Sequence, residues 1–138
     1  MTGDVVKLGS GQSLRIVSSS AEVLELESTW TAIGSKPPRH YHPRQDERFE
    51  VIDGQLTVEV NGERRVLRAG DALDVPRGAV HRMWNAGPDT ARASWRVRPR
   101  LRTEEMFRFM DQGMSPLRIV LLLWRFRNEY RPGLRSRR

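Results

Sequence analysis

Apolar and polar side chains alternate along most of the first hundred positions. Ser13-Leu14-Arg15-Ile16-Val17 and Glu22-Val23-Leu24-Glu25-Leu26-Glu27 place every second residue on one face, as half-buried antiparallel strands do. Shorter runs at 4–8, 28–33, 64–67 and 72–75 read as further strands. Asp53-Gly54 and Asn61-Gly62 flank the run Leu56 to Val60, and both dipeptides signal two-residue hairpins. From Ala91 to Leu101 the alternation returns, with Trp95, Val97 and Leu101 on one face and Arg96, Arg98 and Arg100 on the other.

The period changes after residue 102. Thr103 stands where a helix N-cap is expected, followed by Glu104 and Glu105 in the first turn, where the helix dipole favours anions. Met106, Phe107, Phe109 and Met110 give that helix an apolar stripe, and Gly113 can end it. Ser115-Pro116 restarts the pattern as N-cap and first helical residue, predicting a second helix from Leu117 to about Tyr130. Between Ile119 and Trp124 that helix is apolar nearly all round, so one face covers the barrel and another needs a partner; a homodimer contact is expected there. The basic stretch from residue 131 to 138 reads as a disordered tail.

Composition narrows the possibilities. At 138 residues without cysteine, the chain is long enough for one domain with a real core. It can hold no disulfide, thiolate zinc site or cysteine nucleophile. Residues 92–138 carry 13 Lys and Arg against 4 Asp and Glu. No recognition-helix motif, aromatic stacking platform or zinc finger accompanies that charge, so nucleic acid is not the expected partner. The first residues lack the charged-then-apolar pattern of a signal peptide, which makes the cytoplasm the expected location. No apolar run approaches the roughly 20 residues of a membrane span.

The candidate chemistry lies in two segments. All three histidines, His40, His42 and His81, fall within 34–54 and 70–85. Residues at i and i+2 of a strand share a face, so His40 and His42 can point inward together. The polar stretch Pro43-Arg44-Gln45-Asp46 suits a turn or bulge that re-aims Glu47 toward them. Three imidazoles and one carboxylate form a mixed N/O set that Fe, Mn, Ni, Co, Cu and Zn all accept as divalent ions. Met83 shares a face with His81, and Trp30 and Phe49 are further candidates for a pocket wall.

These residues resemble the cupin superfamily. Gly34, His40, His42, Glu47 and Gly54 stand at the spacing of its first motif; Gly70, Pro76, Gly78, His81 and Asn85 stand at that of its second. The resemblance extends over roughly residues 5 to 100 and leaves the last third uncovered. It implies an all-β jelly-roll barrel of six to eight strands over 1–102, to which the helical pattern adds two C-terminal helices over 103–130. It also implies a metal held by His40, His42, Glu47 and His81, and a homodimer. The expected function is a metal-dependent, dioxygenase-like enzyme on a small enolic or carboxylate substrate, with Glu47 as candidate general base. Isomerase, lyase or polyketide-cyclase chemistry, a non-catalytic ligand-sensing module, and a storage or scaffold role stay open.

Overall fold

A computed structural model describes residues 4–9, 11–31 and 36–133. The expectations for Gly34, for the strand end at Ile33 and for residues 134–138 lie outside them. Ten strands precede the helices: β1 (Val5–Gly9), β2 (Gln12–Ser19), β3 (Leu24–Trp30), β4 (His40–Tyr41), β5 (Asp46–Asp53), β6 (Gln55–Val60), β7 (Glu63–Arg68), β8 (Ala72–Val75), β9 (His81–Trp84) and β10 (Ala91–Arg98). Helices α1 (Thr103–Asp111) and α2 (Pro116–Arg125) follow, and then a last short strand, β11 (Arg131–Pro132). One sheet runs β1-β2-β3-β10-β5-β8 and the other β11-β4-β9-β6-β7. The strands form an antiparallel jelly roll, with eleven described strands where the sequence implied six to eight.

The sequence alternation is the alternation of burial. In β3, Leu24, Leu26, Ser28 and Trp30 are buried and the residues between them are half-exposed; in β10, Ala91, Ala93, Trp95 and Val97 behave alike. The inward rows of both sheets, with Leu14, Ile16, Leu56, Val58, Leu67 and Val75, make the core. β10 ends at Arg98, before Pro99, which has no N–H for a ladder. Leu101, expected on the inner face, instead lies beyond the strand with positive φ and is exposed.

The two Gly-containing turns differ in kind. Asn61 and Gly62 both have positive φ (49° and 87°) and join β6 to its partner β7 with Val60 opposite Glu63, a two-residue primed hairpin. Asp53-Gly54 is no hairpin. β5 pairs with β10 and β8, whereas β6 pairs with β7 and β9, so the chain turns a corner from one sheet to the other. A side chain at Gly54 would meet the Thr90 carbonyl oxygen at 2.6 Å, and its φ is +74°. A corner pressed that closely against the neighbouring backbone requires glycine.

The helices share the barrel's core. Met106 and Phe107 of α1 are buried in it, and Asp111 accepts a hydrogen bond from the Lys7 backbone N–H of β1 at 2.8 Å. Thr103 is the first residue of the helix, not its cap: Arg102 holds the cap position, and the buried Thr103 hydroxyl instead accepts from Gln45 Nε2 at 2.7 Å. Ser115 caps α2, its hydroxyl accepting from the Arg118 N–H, with Pro116 opening the helix. That helix ends at Arg125, short of Tyr130. Phe126, fully buried, then turns the chain back toward the barrel, and burying that ring contributes about 2–3 kcal/mol. Arg131 and Pro132 pair with Tyr41 and His40, so the stretch read as a tail begins with an ordered strand.

Candidate metal centre

The three histidines arrive from one sheet and the carboxylate from the other. His40 opens β4, directly opposite His81 at the start of β9. His42 follows β4, and the turn after it delivers Gln45 and Glu47 to the inner side at the start of β5. The ligating atoms of His40, His42 and His81 all lie within 4.8 Å of one another. Glu47 Oε1 reaches His42 Nε2 at 3.1 Å and His81 Nε2 at 3.0 Å. Its Oε2 accepts a hydrogen bond from Trp95 Nε1 at 2.9 Å.

Each imidazole is held by its other nitrogen. His40 Nδ1 lies 3.1 Å from the Pro38 carbonyl oxygen, His42 Nδ1 2.7 Å from that of Glu129, and His81 Nδ1 2.9 Å from that of Ala79. A carbonyl only accepts, so Nδ1 carries a proton in every ring, and wherever the ring is neutral its Nε2 presents a lone pair. Lone pairs of His42 and His81 therefore face the carboxylate's own lone pairs. Buried His42 Nε2 and Glu47 Oε1 make no hydrogen bond, an arrangement of acceptor against acceptor that something positive must resolve.

A divalent cation fits that requirement. Donors about 2.0–2.1 Å from one ion sit about 3 Å apart when adjacent around it, the separation found between Glu47 and its two histidines. A proton on His42 Nε2 would meet it as well, and the buried groups differ in how they hold protons. Burial, then the neighbouring His81 and His42, pull His40 down to about 3, leaving it neutral. Burial lowers His42 too, but the Glu47 carboxylate and the Glu129 carbonyl outweigh it and hold the ring above its ordinary value. Burial would raise Glu47; the neighbouring His42 and His81 hold it well below the usual carboxylate range. The carboxylate is ionised and buried, and the positive charge it requires beside it is supplied by a proton on His42 or by a bound ion.

The four donors open into a cavity of about 250 Å³. Phe49, Met83 and Trp30, the pocket residues expected from sequence, all line it. So do several that sequence reasoning missed: Trp95, Gln45, Thr103, Met106, Phe107 and Tyr130. Phe49 and Trp95 stack with ring centres 5.1 Å apart, and Phe107 tilts against Trp95. Gln45 donates Nε2 to the Pro99 and Arg100 carbonyls and to Thr103, which fixes its amide orientation. Its buried Oε1 is left without a partner. In the sequence Gln45 stood only in the polar stretch read as a turn before Glu47. Nothing there joined Tyr130 or α1 to the histidines.

Comparison with known proteins agrees with this arrangement. A family model described as a cupin domain matches residues 31–96. The tetracenomycin polyketide synthase protein TcmJ of Streptomyces glaucescens is 41% identical over 68 residues, which is 49% of this chain and 46% of that protein. An oxidoreductase of Arthrobotrys oligospora is 48% identical over 52 residues, 37% of this chain and 21% of the relative. This chain thus spans less than half the length of these curated relatives. Among solved structures, KdgF from Halomonas superimposes with a TM-score of 0.66 at 26% identity, covering 73% of this chain and 92% of that one.

Proposed function

We propose, from the premise that this chain belongs to the cupin superfamily, that it is a metal-dependent enzyme of dioxygenase-like type acting on a small ring-bearing enolic or phenolic molecule. The observation that carries the reading is the cluster of His40, His42 and His81, with Glu47 beside His42 and His81, at the wall of a largely apolar cavity. A bound iron, manganese or similar ion would act there as a Lewis acid and, if redox-active, would allow chemistry with dioxygen. With neutral imidazoles and one carboxylate, a divalent site keeps a net charge of about +1, which suits an enolate or carboxylate oxygen.

The chain's own residues supply binding and orientation. An engineered cavity of about 150 Å³ holds a benzene ring, so 250 Å³ takes a molecule of one or two rings. Phe49, Trp95 and Met83 give such rings an apolar wall that excludes water. Gln45 Oε1, buried and unpartnered, would accept a hydrogen bond from a substrate hydroxyl. Trp95 fixes Glu47 through Oε2 and leaves Oε1 for the ion; Glu47 is our candidate general base, a role in which Oε1 would leave the ion to take and return a substrate proton.

Isomerisation or cyclisation without dioxygen is a second reading, favoured by the polyketide synthase relative. Oxygen uptake by iron- or manganese-loaded protein with phenolic and enolic acids tests the choice. Uptake coupled to substrate loss supports the first reading; substrate conversion with no uptake supports the second. Loaded protein that binds and converts no member of such a set overturns both.

We also propose that the molecule forms a homodimer in which a second copy covers α2. Leu117, Val120 and Trp124 are 67%, 62% and 67% exposed, an apolar face large enough to call for a partner.

A further inference from the structure

The segment that follows α2 crosses the metal-binding strand. Phe126 is anchored in the core against Phe109, and the buried Glu129 carboxylate accepts a hydrogen bond from the Arg102 backbone N–H at 3.1 Å. From these anchors the chain runs beside β4. The Glu129 carbonyl accepts from His42 Nδ1 at 2.7 Å, and the Tyr130 ring stacks on His40 with centres 4.8 Å apart and planes 20° from parallel. Arg131 and Pro132 pair with Tyr41 and His40, and the Gly133 N–H donates to the Arg39 carbonyl at 2.8 Å.

β4 needs this support. It has two residues and pairs with β9 at one position, His40 with His81. Without β11 it would be a short edge carrying one ligand and leading to the next. The three histidines also differ in how their tautomers are set. His40 and His81 each use the carbonyl two residues back, which the chain just before each strand supplies. His42 uses a carbonyl 87 residues downstream, beyond the cupin-matched residues 31–96.

We infer that residues 126–133 form a strap that completes the metal centre, with Glu129 and Tyr130 as positioning residues for His42 and His40. The inference rests on the metal-site reading and extends it to a part of the chain outside the family motif. Groups that hold a histidine ligand's second nitrogen fix its tautomer and orientation, and losing one typically costs about 10- to 100-fold in metal affinity.

Cobalt(II) titration of the full-length protein, followed by visible absorption, reads this directly. Glu129→Ala frees the strap's anchor and should weaken cobalt binding by about tenfold or more, whereas Glu129→Gln, which keeps an acceptor for Arg102, should stay near wild type. Tyr130→Ala should weaken binding and Tyr130→Phe, which keeps the stacked ring, should not. Gly133→Val probes the same strap from its far end, since a Cβ there meets Val80 Cγ1 at 2.7 Å and the His40 nitrogen at 3.3 Å; it too should weaken binding. In the zinc-loaded protein, proton NMR should show a protected Nδ1–H for His42 that Glu129→Ala loses and Glu129→Gln retains. Wild-type cobalt affinity in Glu129→Ala and Tyr130→Ala, or equal losses in each Ala variant and its conservative counterpart, would overturn the strap. Wild-type protein that binds no cobalt would instead remove the metal centre on which the strap rests.

Discussion

His42 uses its two nitrogens for different tasks: Nδ1 donates to the Glu129 carbonyl, and Nε2 faces Glu47 Oε1. The same division holds for Glu47, whose Oε2 is engaged by Trp95 and whose Oε1 is free for a cation. Trp95→Phe keeps the ring stack and removes only that N–H, so metal affinity should fall by about tenfold while the protein stays folded; calorimetric titration with zinc checks it. On the outer side of the ligand strands, Glu59 is bonded by Arg82 and Arg64 at 2.9 and 2.7 Å and paired with Arg39 at 3.3 Å. Arg39 and Arg82 adjoin His40 and His81, so one carboxylate braces both strands from behind. The hydrogen bonds from Arg82 and Arg64 hold Glu59 down at about 2, from an ordinary 4.5. A depressed carboxylate contributes stability that is fully present above pH 4.5 and lost as pH falls toward 2. Glu59→Gln should therefore lower the melting temperature near neutrality and flatten its fall between those pH values. Parallel acid melting curves for the two proteins would contradict that account.

At the scale of elements, what a short window of sequence could reveal was what short-range physics decides. The β2, β3 and β10 strands were visible because one face of each is buried and the other is not, and Ser115-Pro116 announced α2 because capping is local. Asp53-Gly54 carried the same local hairpin signal as Asn61-Gly62. Only the pairing of β5 and β6 with different neighbours makes it a corner, and no local rule contains that pairing. Gly54→Ala tests the corner: positive φ and a 2.6 Å approach to the Thr90 oxygen predict a loss of about 1–3 kcal/mol, read as a lower urea midpoint. His40, His42, Glu47 and His81 were legible because their spacing is fixed within two segments. The Glu129 and Tyr130 contacts were not, because loop closure over dozens of residues leaves no periodic trace. α2 supplies its own test. Leu117→Glu with Val120→Glu places charges on the exposed face without touching buried Leu122, and sedimentation should then show a monomer in place of the dimer proposed for the wild type. A dimer that survives both charges would place the interface elsewhere.

In the whole molecule, the two sheets, α1 and the segment after α2 line the cavity, and each contributes differently to it. The sheets carry the four donors; α1 adds Thr103, Met106 and Phe107 to the apolar wall; the strap after α2 braces β4. Among the described residues no helix is long and apolar enough to cross a membrane. Part of the basic C-terminal third lies against aromatic rings, with half-buried Arg118 over the Phe109 ring and exposed Arg102 over that of Phe126. The account stands on one property, a buried carboxylate and three lone-pair nitrogens that need a cation between them. Elemental analysis of protein purified without an affinity tag, beside the His81→Ala variant, measures it most directly. About one transition-metal ion per chain in the wild type, and little in His81→Ala, is the result this account predicts. A folded wild type of normal stability that takes up no metal, or a variant with unchanged metal content, would contradict it.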